Sequence, residues 1–200
     1  MEKINDYLYV IREVTEPELA ADSLIIKGKS HYYLFDCGNN PKAVEEINAL
    51  NIKYAFASHF HPDHIKGLKD IKCEKLYISK HTSRKIDGIV VNELEVEDGI
   101  EFTFKEIPSP HSQGSCILTI NNEITLLGDA VYMMKDMYNV TKLKDLIDTL
   151  RNLDTQYFIM SHKSERLLKK AVIIAFLERI YSKREPGSPF IKMSDNAFFK

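Results

Sequence analysis

Residues 58–64 read Ser-His-Phe-His-Pro-Asp-His and continue an apolar, strand-like run that begins at Tyr54. Any fold open to this chain must end a strand where that loop can reach a metal. Three imidazoles and one carboxylate fall at positions 59–64. Imidazole is the usual neutral nitrogen donor for borderline metals such as Zn²⁺, and carboxylate adds an anionic oxygen. In an extended segment His59 and His61 share one side. Pro62 then breaks strand geometry, so Asp63 and His64 can turn toward a second position. One short loop can therefore serve two metals.

Three further ligand types follow apolar strand-like runs. His111 sits in Pro108-Ser109-Pro110-His111, Asp129 in Leu126-Leu127-Gly128-Asp129, and His162 in Phe158-Ile159-Met160-Ser161-His162. Loops at strand ends converge on one rim of a sheet, which lets distant residues meet. Five of the 7 histidines then belong to one constellation. His31 and His81 are left as surface or structural residues. A tract that binds metal adventitiously is the plain alternative for the loop alone, and the three distant ligands tell against it.

Strand-like and helix-like segments alternate along the chain. Strands are expected at residues 7–12, 23–27, 31–35, 54–58, 75–79, 101–107, 116–120, 124–127 and 157–160. A turn at Asn121-Asn122-Glu123 joins two of them. Pro41 opens a helix over 42–50. Further helical segments are expected over 65–71, 82–86 and 142–152. A long helix is expected over 165–181, with Leu167, Leu168, Ala171, Ile174, Ala175 and Ile180 at helical spacing. Two or three early antiparallel strands followed by βα units point to an α/β chain with a mixed sheet. Pro186, Gly187 and Pro189 end the last helix, and an apolar tail runs from about residue 184, with Phe190, Ile191, Phe198 and Phe199.

The 200 residues suit one domain, 1–200. A net charge of −2 advertises no polyanionic partner, so nucleic acid is not expected. No apolar run approaches the roughly 20 residues that span a bilayer, and the N-terminus lacks a signal-peptide core. A cytoplasmic protein without a membrane partner is the expectation. Cys37, Cys73 and Cys116 form no CxxC pair, and all three are expected to be buried or half-buried thiols.

His59-Phe60-His61-Pro62-Asp63-His64 resembles the HxHxDH signature of the metallo-β-lactamase superfamily. His111, Asp129 and His162 match its later ligands in type and order, and Asp36 in Leu34-Phe35-Asp36-Cys37-Gly38 resembles the segment preceding the motif. The resemblance runs from about Tyr7 to His162. It implies an αββα sandwich, two mixed β-sheets flanked by helices, with two divalent metals at one edge. Zinc is favoured by the donors, with iron or manganese as the other metals. His59, His61 and His111 would hold one metal and Asp63, His64 and His162 the other, with Asp129 bridging. Asp36 would fix a ligand histidine, or form the strand-end turn next to Gly38, the two roles not being exclusive. The implied activity is hydrolysis by a metal-bridging hydroxide, with Asp63 also orienting the water.

Branches of the superfamily differ at these positions. Flavodiiron proteins carry an acidic residue where His61 stands, together with a flavodoxin domain. Common zinc β-lactamases use Cys in place of Asp129 and lack the His64 ligand. The pattern is closer to glyoxalase II-like thioesterases, lactonases and dinuclear phosphodiesterases. A small ester, thioester or lactone is therefore the expected substrate, and a small phosphodiester the alternative, disfavoured by the lack of basic residues near the motif. A non-catalytic metal-binding sensor is a third reading, although such proteins usually lose ligands. Residues 131–138 follow Asp129 directly, so Tyr132 or Tyr138 is a candidate donor to the substrate, or else core. The apolar tail could close the same pocket from its own chain or from the partner in a homodimer.

Overall fold

A computed structural model of the protein describes residues 1–133 and 139–191. Its strands are β1 (Glu2–Lys3), β2 (Leu8–Ile11), β3 (Ser23–Lys27), β4 (Tyr32–Phe35), β5 (Ile52–Phe56), β6 (Lys75–Ile78), β7 (Ile89–Val90), β8 (Glu93–Glu97), β9 (Glu101–Glu106), β10 (Cys116–Ile120), β11 (Ile124–Leu126), β12 (Tyr157–Ile159) and β13 (Leu168–Lys169). The α-helices are α1 (Pro41–Asn48), α2 (Pro62–Ile65), α3 (Val140–Asn152) and α4 (Lys170–Tyr181).

The strands form two mixed sheets. One is 7-stranded in the order β1-β2-β3-β4-β5-β6-β7 and the other 6-stranded in the order β13-β12-β11-β10-β9-β8. Each sheet is thus drawn from a continuous stretch of sequence. In the first, the pairs through β4 are antiparallel and those from β4 to β7 parallel. In the second, only β11 and β12 run parallel.

Period-two alternation sorts the apolar side chains into layers. Leu24, Ile26, Tyr33, Phe35 and Phe56 face inward and meet Phe102, Phe104, Cys116, Leu118 and Leu126 between the sheets. Their neighbours Ile25, Leu34 and Ala55 face outward onto Ala43 and Ile47 of α1. On the far side, Ile117 and Phe158 face Leu143 and Leu150 of α3 and Ile173 and Leu177 of α4. Burial on both faces explains why these strands read as unbroken apolar runs. The layers are α/β/β/α, as the resemblance implies.

The structure corrects several expectations. Residues 165–181 are not one helix. Leu168 pairs with Phe158 and Lys169 with Tyr157 as β13, and α4 starts at Lys170. Its buried stripe is Ile173, Leu177 and Ile180, whereas Ala171 and Ala175 are exposed. In place of a helix over 65–71 there is one α-turn, α2, ending at Ile65, and a 3₁₀ turn, Leu68–Asp70. Between them lies Gly67, where a Cβ would stand 2.2 Å from the Gly38 carbonyl. Besides β13, three strands were not expected: β1, β7 and β8. At the other end of the chain Ile191 is buried in the α3–α4 cluster, its N–H donating to Asn139 Oδ1 at 2.8 Å. Tyr138, Phe198 and Phe199 lie outside the described residues.

Cys37 and Cys116 are buried, Cys73 is half-buried, and all three are free thiols. No helix among the described residues is long and apolar enough to cross a membrane.

Candidate metal centre

The seven residues singled out in the sequence converge at one rim. The loop after β5 carries His59 and His61, and α2 carries Asp63 and His64. His111, Asp129 and His162 follow β9, β11 and β12. His59, His61 and His111 form one group of candidate ligands. Asp63, His64, Asp129 and His162 form another. Within each group the ligand atoms lie within 4.8 Å of one another. Asp129 Oδ2 stands 3.4 Å from His64 Nε2 and 3.5 Å from His111 Nε2, so this carboxylate faces both groups.

Close backbone packing brings the loops in. At Gly38 a Cβ would meet the Asp63 carbonyl oxygen at 2.1 Å. Gly128, at φ +53, turns the chain so that Asp129 faces the centre, and a Cβ there would strike Ser58. His162 itself has a φ of 59, a left-handed conformation uncommon for a non-glycine residue and frequent at functional sites.

Hydrogen bonds orient three of the rings. His64 Nδ1 is 2.7 Å from Asp36 Oδ2. An ionised carboxylate can only accept, so Nδ1 holds the proton and Nε2 is turned to the centre. Ser58 Oγ donates to Asp36 Oδ2 at 2.7 Å and has no second proton, so at 2.9 Å it accepts from His59 Nδ1. His162 Nδ1 donates to Glu13 Oε2 at 2.6 Å. Glu13 is held in turn: its N–H donates to Asp22 Oδ1 at 2.9 Å, and Arg166 pairs with Asp22 Oδ2 at 2.5 Å.

No described residue satisfies the atoms that remain. His59 Nε2, His64 Nε2 and Asp129 Oδ1 are buried without a hydrogen-bond partner among the described residues. Unpaired buried polar atoms are costly, and a cation between them would satisfy all three. The donor set, imidazole and carboxylate, fits a divalent metal.

The titration behaviour agrees. Burial holds His59 far below the usual histidine range, with the neighbouring imidazoles adding to it. Burial also lowers His111, to about 4. Both rings are neutral at pH 7, as metal ligands must be. Burial would lower His64 too, but Asp36 and Asp129 outweigh it and raise the ring well above the ordinary value. His162 is raised to about 9, burial being outweighed by Asp63, Asp129 and Glu13. These two protons sit where a metal would sit.

The other candidates are placed as follows. Tyr132 is half-buried, its ring 6.5 Å from that of His111, and its hydroxyl donates to the Ser161 carbonyl at 2.6 Å. His31 lies 3.7 Å from Asp98, away from the centre. His81 is in neither ligand group, yet it lines a cavity of about 340 Å³ with Phe60, His61, Arg84, Lys85 and His111. The expected lack of basic residues near the motif is therefore corrected, since the chain after β6 folds back and brings two cations there. Glu13 and Ser58 were not singled out in the sequence. Ser58 adjoins the motif, whereas nothing at Glu13 signals a partner at position 162.

The fold and the paired groups define a class, the α/β/β/α sandwiches with candidate metal ligands at one rim. Residues 17–75 match the family model of the metallo-beta-lactamase superfamily. Solved structures share the fold. A metallo-beta-lactamase from Pontibacter korlensis is 12% identical, with a TM-score of 0.65 over 88% of this chain and 97% of that one. One from Hirschia baltica is 15% identical, with a TM-score of 0.62 over 88% and 95%. A variant of the flavo di-iron protein from Thermotoga maritima is 15% identical, with a TM-score of 0.69 over 93% of this chain but 62% of that one. No curated protein matches by sequence. The chain has the metallo-β-lactamase fold, and its matched segment carries the start of the ligand set.

Proposed function

We propose that the chain is a two-metal hydrolase acting on a small ester, thioester or lactone. The observation that carries this reading is the pair of adjoining ligand groups with Asp129 facing both, and with buried nitrogen and oxygen atoms left unpaired there. Two divalent metals bound there would supply a water ionised near neutral pH and positive charge for the oxyanion formed at the acyl carbon.

The chain's own residues hold and aim. Asp36, Ser58 and Glu13 lock the rings of His64, His59 and His162 through Nδ1. Asp63 is more exposed than Asp129, at 18% against 8% of its side chain, and its Oδ2 lies 3.3 Å from His162 Nε2. That position suits it to accept a hydrogen bond from the attacking water and orient it. Tyr132 carries a second candidate role: released from Ser161, its hydroxyl would donate to the oxyanion or leaving group. In the arrangement described it steadies the backbone next to His162 instead.

Zinc is the favoured metal because imidazole predominates, and the structural likeness to a flavo di-iron protein supports iron as second choice. We further propose a small-molecule substrate, with no nucleic-acid or membrane partner.

The test is elemental analysis with a substrate panel. About two metals per chain are expected, and thioesters, lactones or aryl esters should turn over with higher kcat/KM than bis(p-nitrophenyl) phosphate. A tenfold advantage for the phosphodiester, about 1.4 kcal/mol of transition-state preference, would reverse the substrate ranking. Two bound metals without turnover of any member would make this a metal-binding sensor.

A further inference from the structure

The cavity beside His61 and His111 carries two cations that hydrolysis itself does not use. Arg84 ends the 3₁₀ turn Thr82–Arg84 and Lys85 follows it, and the preceding segment anchors the turn. Thr82 is buried, its N–H donates to Ser79 Oγ at 3.2 Å, and its Oγ1 lies 3.1 Å from the same oxygen. Ser83 N–H donates to the Ser79 carbonyl at 3.1 Å and Lys85 N–H to that of Thr82 at 2.9 Å. The backbone beneath Arg84 and Lys85 is therefore fixed.

Both side chains are exposed and line the cavity of about 340 Å³. No carboxylate lines it, and among the described residues neither cation has an ion-pair partner. The chain as a whole is negative, at −2, so this positive wall is local and not a share of a basic surface. Phe60 supplies an apolar wall and the two ligand imidazoles connect the cavity to the metal centre. A guanidinium is a planar, permanently charged fork that matches a carboxylate or phosphate, with a second ammonium adding charge.

We propose that this cavity binds a negatively charged group on the substrate, a few bonds from the scissile acyl bond, with Arg84 as the receptor and Lys85 in support. The inference rests on the hydrolase reading and narrows it: acidic acyl esters and thioesters are preferred over neutral ones of the same length.

A matched pair tests it in the zinc-loaded chain: the N-acetylcysteamine thioesters of succinate and of butyrate. In the wild type, kcat/KM for the succinyl thioester should exceed that for the butanoyl thioester by about tenfold, with the ratio falling as salt is raised, because the cations are exposed. Arg84→Ala should cut the ratio at least fivefold and Arg84→Lys should restore part of it, with metal content unchanged. Lys144→Ala, on the outside of α3, should keep the ratio. Equal kcat/KM for the pair, or a ratio insensitive to Arg84→Ala, overturns the pocket assignment and leaves the hydrolase reading standing. Turnover of neither thioester counts against hydrolysis instead. The pocket is then decided by ligand-observed NMR of succinamate against butyramide. Selective binding of succinamate that is lost in Arg84→Ala upholds it, and equal binding of the two overturns it.

Discussion

His64 shows how much of this centre is set one atom beyond the ligands. Its Nδ1 is claimed by Asp36, and only Nε2 is left to face the metal position. Glu13 does the same for His162. Removing such outer partners typically costs 10–100-fold in metal affinity. Glu13→Gln should therefore weaken the second metal about tenfold or more in a chelator competition, while the first, held by His59, His61 and His111, stays. Asp129→Ala, which removes the carboxylate facing both groups, should reduce metal content below two per chain and abolish hydrolysis. His81→Ala should keep the full metal content in the same assay. Tyr132→Phe separates the two roles of that hydroxyl. A loss of about 1 kcal/mol of stability with activity intact assigns it to the Ser161 carbonyl, and a several-fold fall in kcat at unchanged stability assigns it to the substrate. At this scale the convergence of the candidate ligands was legible, because it follows from residue type and from position after a strand. Their supports were not, since Glu13 and His162 touch across 149 positions of sequence.

Elements were legible where one pattern ruled and obscure where two competed. Residues 23–27 and 116–120 were located to the residue because β-branched and apolar runs ended at turns. Asn121 and Asn122 both adopt positive φ, 50 and 52, as their side chains tolerate, and close the hairpin between β10 and β11. β8 reads Glu-Leu-Glu-Val-Glu, a strict alternation with Leu94 and Val96 turned inward. Its charge hid it, and charge is what an edge strand uses to discourage pairing with another chain. The mistake at residues 165–169 has a different source. Leu167 and Leu168 share helical spacing with the residues after them, but completing the sheet edge against Phe158 wins over one more helical turn. The true stripe makes its own prediction. Leu177 is fully buried between α3 and the second sheet, so Leu177→Ala should cost about 2–5 kcal/mol in denaturant unfolding. The folded fraction should bind its metals as before.

For the whole molecule, metal and proton compete for the same ground. His162 is raised to about 9 in the metal-free chain. A histidine whose value is raised by folding stabilises fully below its unfolded value of about 6.5, and that contribution is lost as pH climbs through about 9. The melting temperature of the metal-free protein should therefore fall between pH 6.5 and 9, while zinc affinity, which needs the neutral ring, rises over the same range. A melting temperature that climbs steadily across that interval would contradict the assignment.

Each sheet is woven from its own continuous half of the chain, and the halves join at residues 91–92. His59, His61, Asp63 and His64 belong to the first half, and His111, Asp129 and His162 to the second. The rim is thus a clasp between two sequence halves as well as a candidate metal centre. Seen this way, a bound metal would act as a reversible weld. A chain severed at the junction would keep every strand pairing within each sheet, and a bound metal would add to the apolar core in holding the two pieces together.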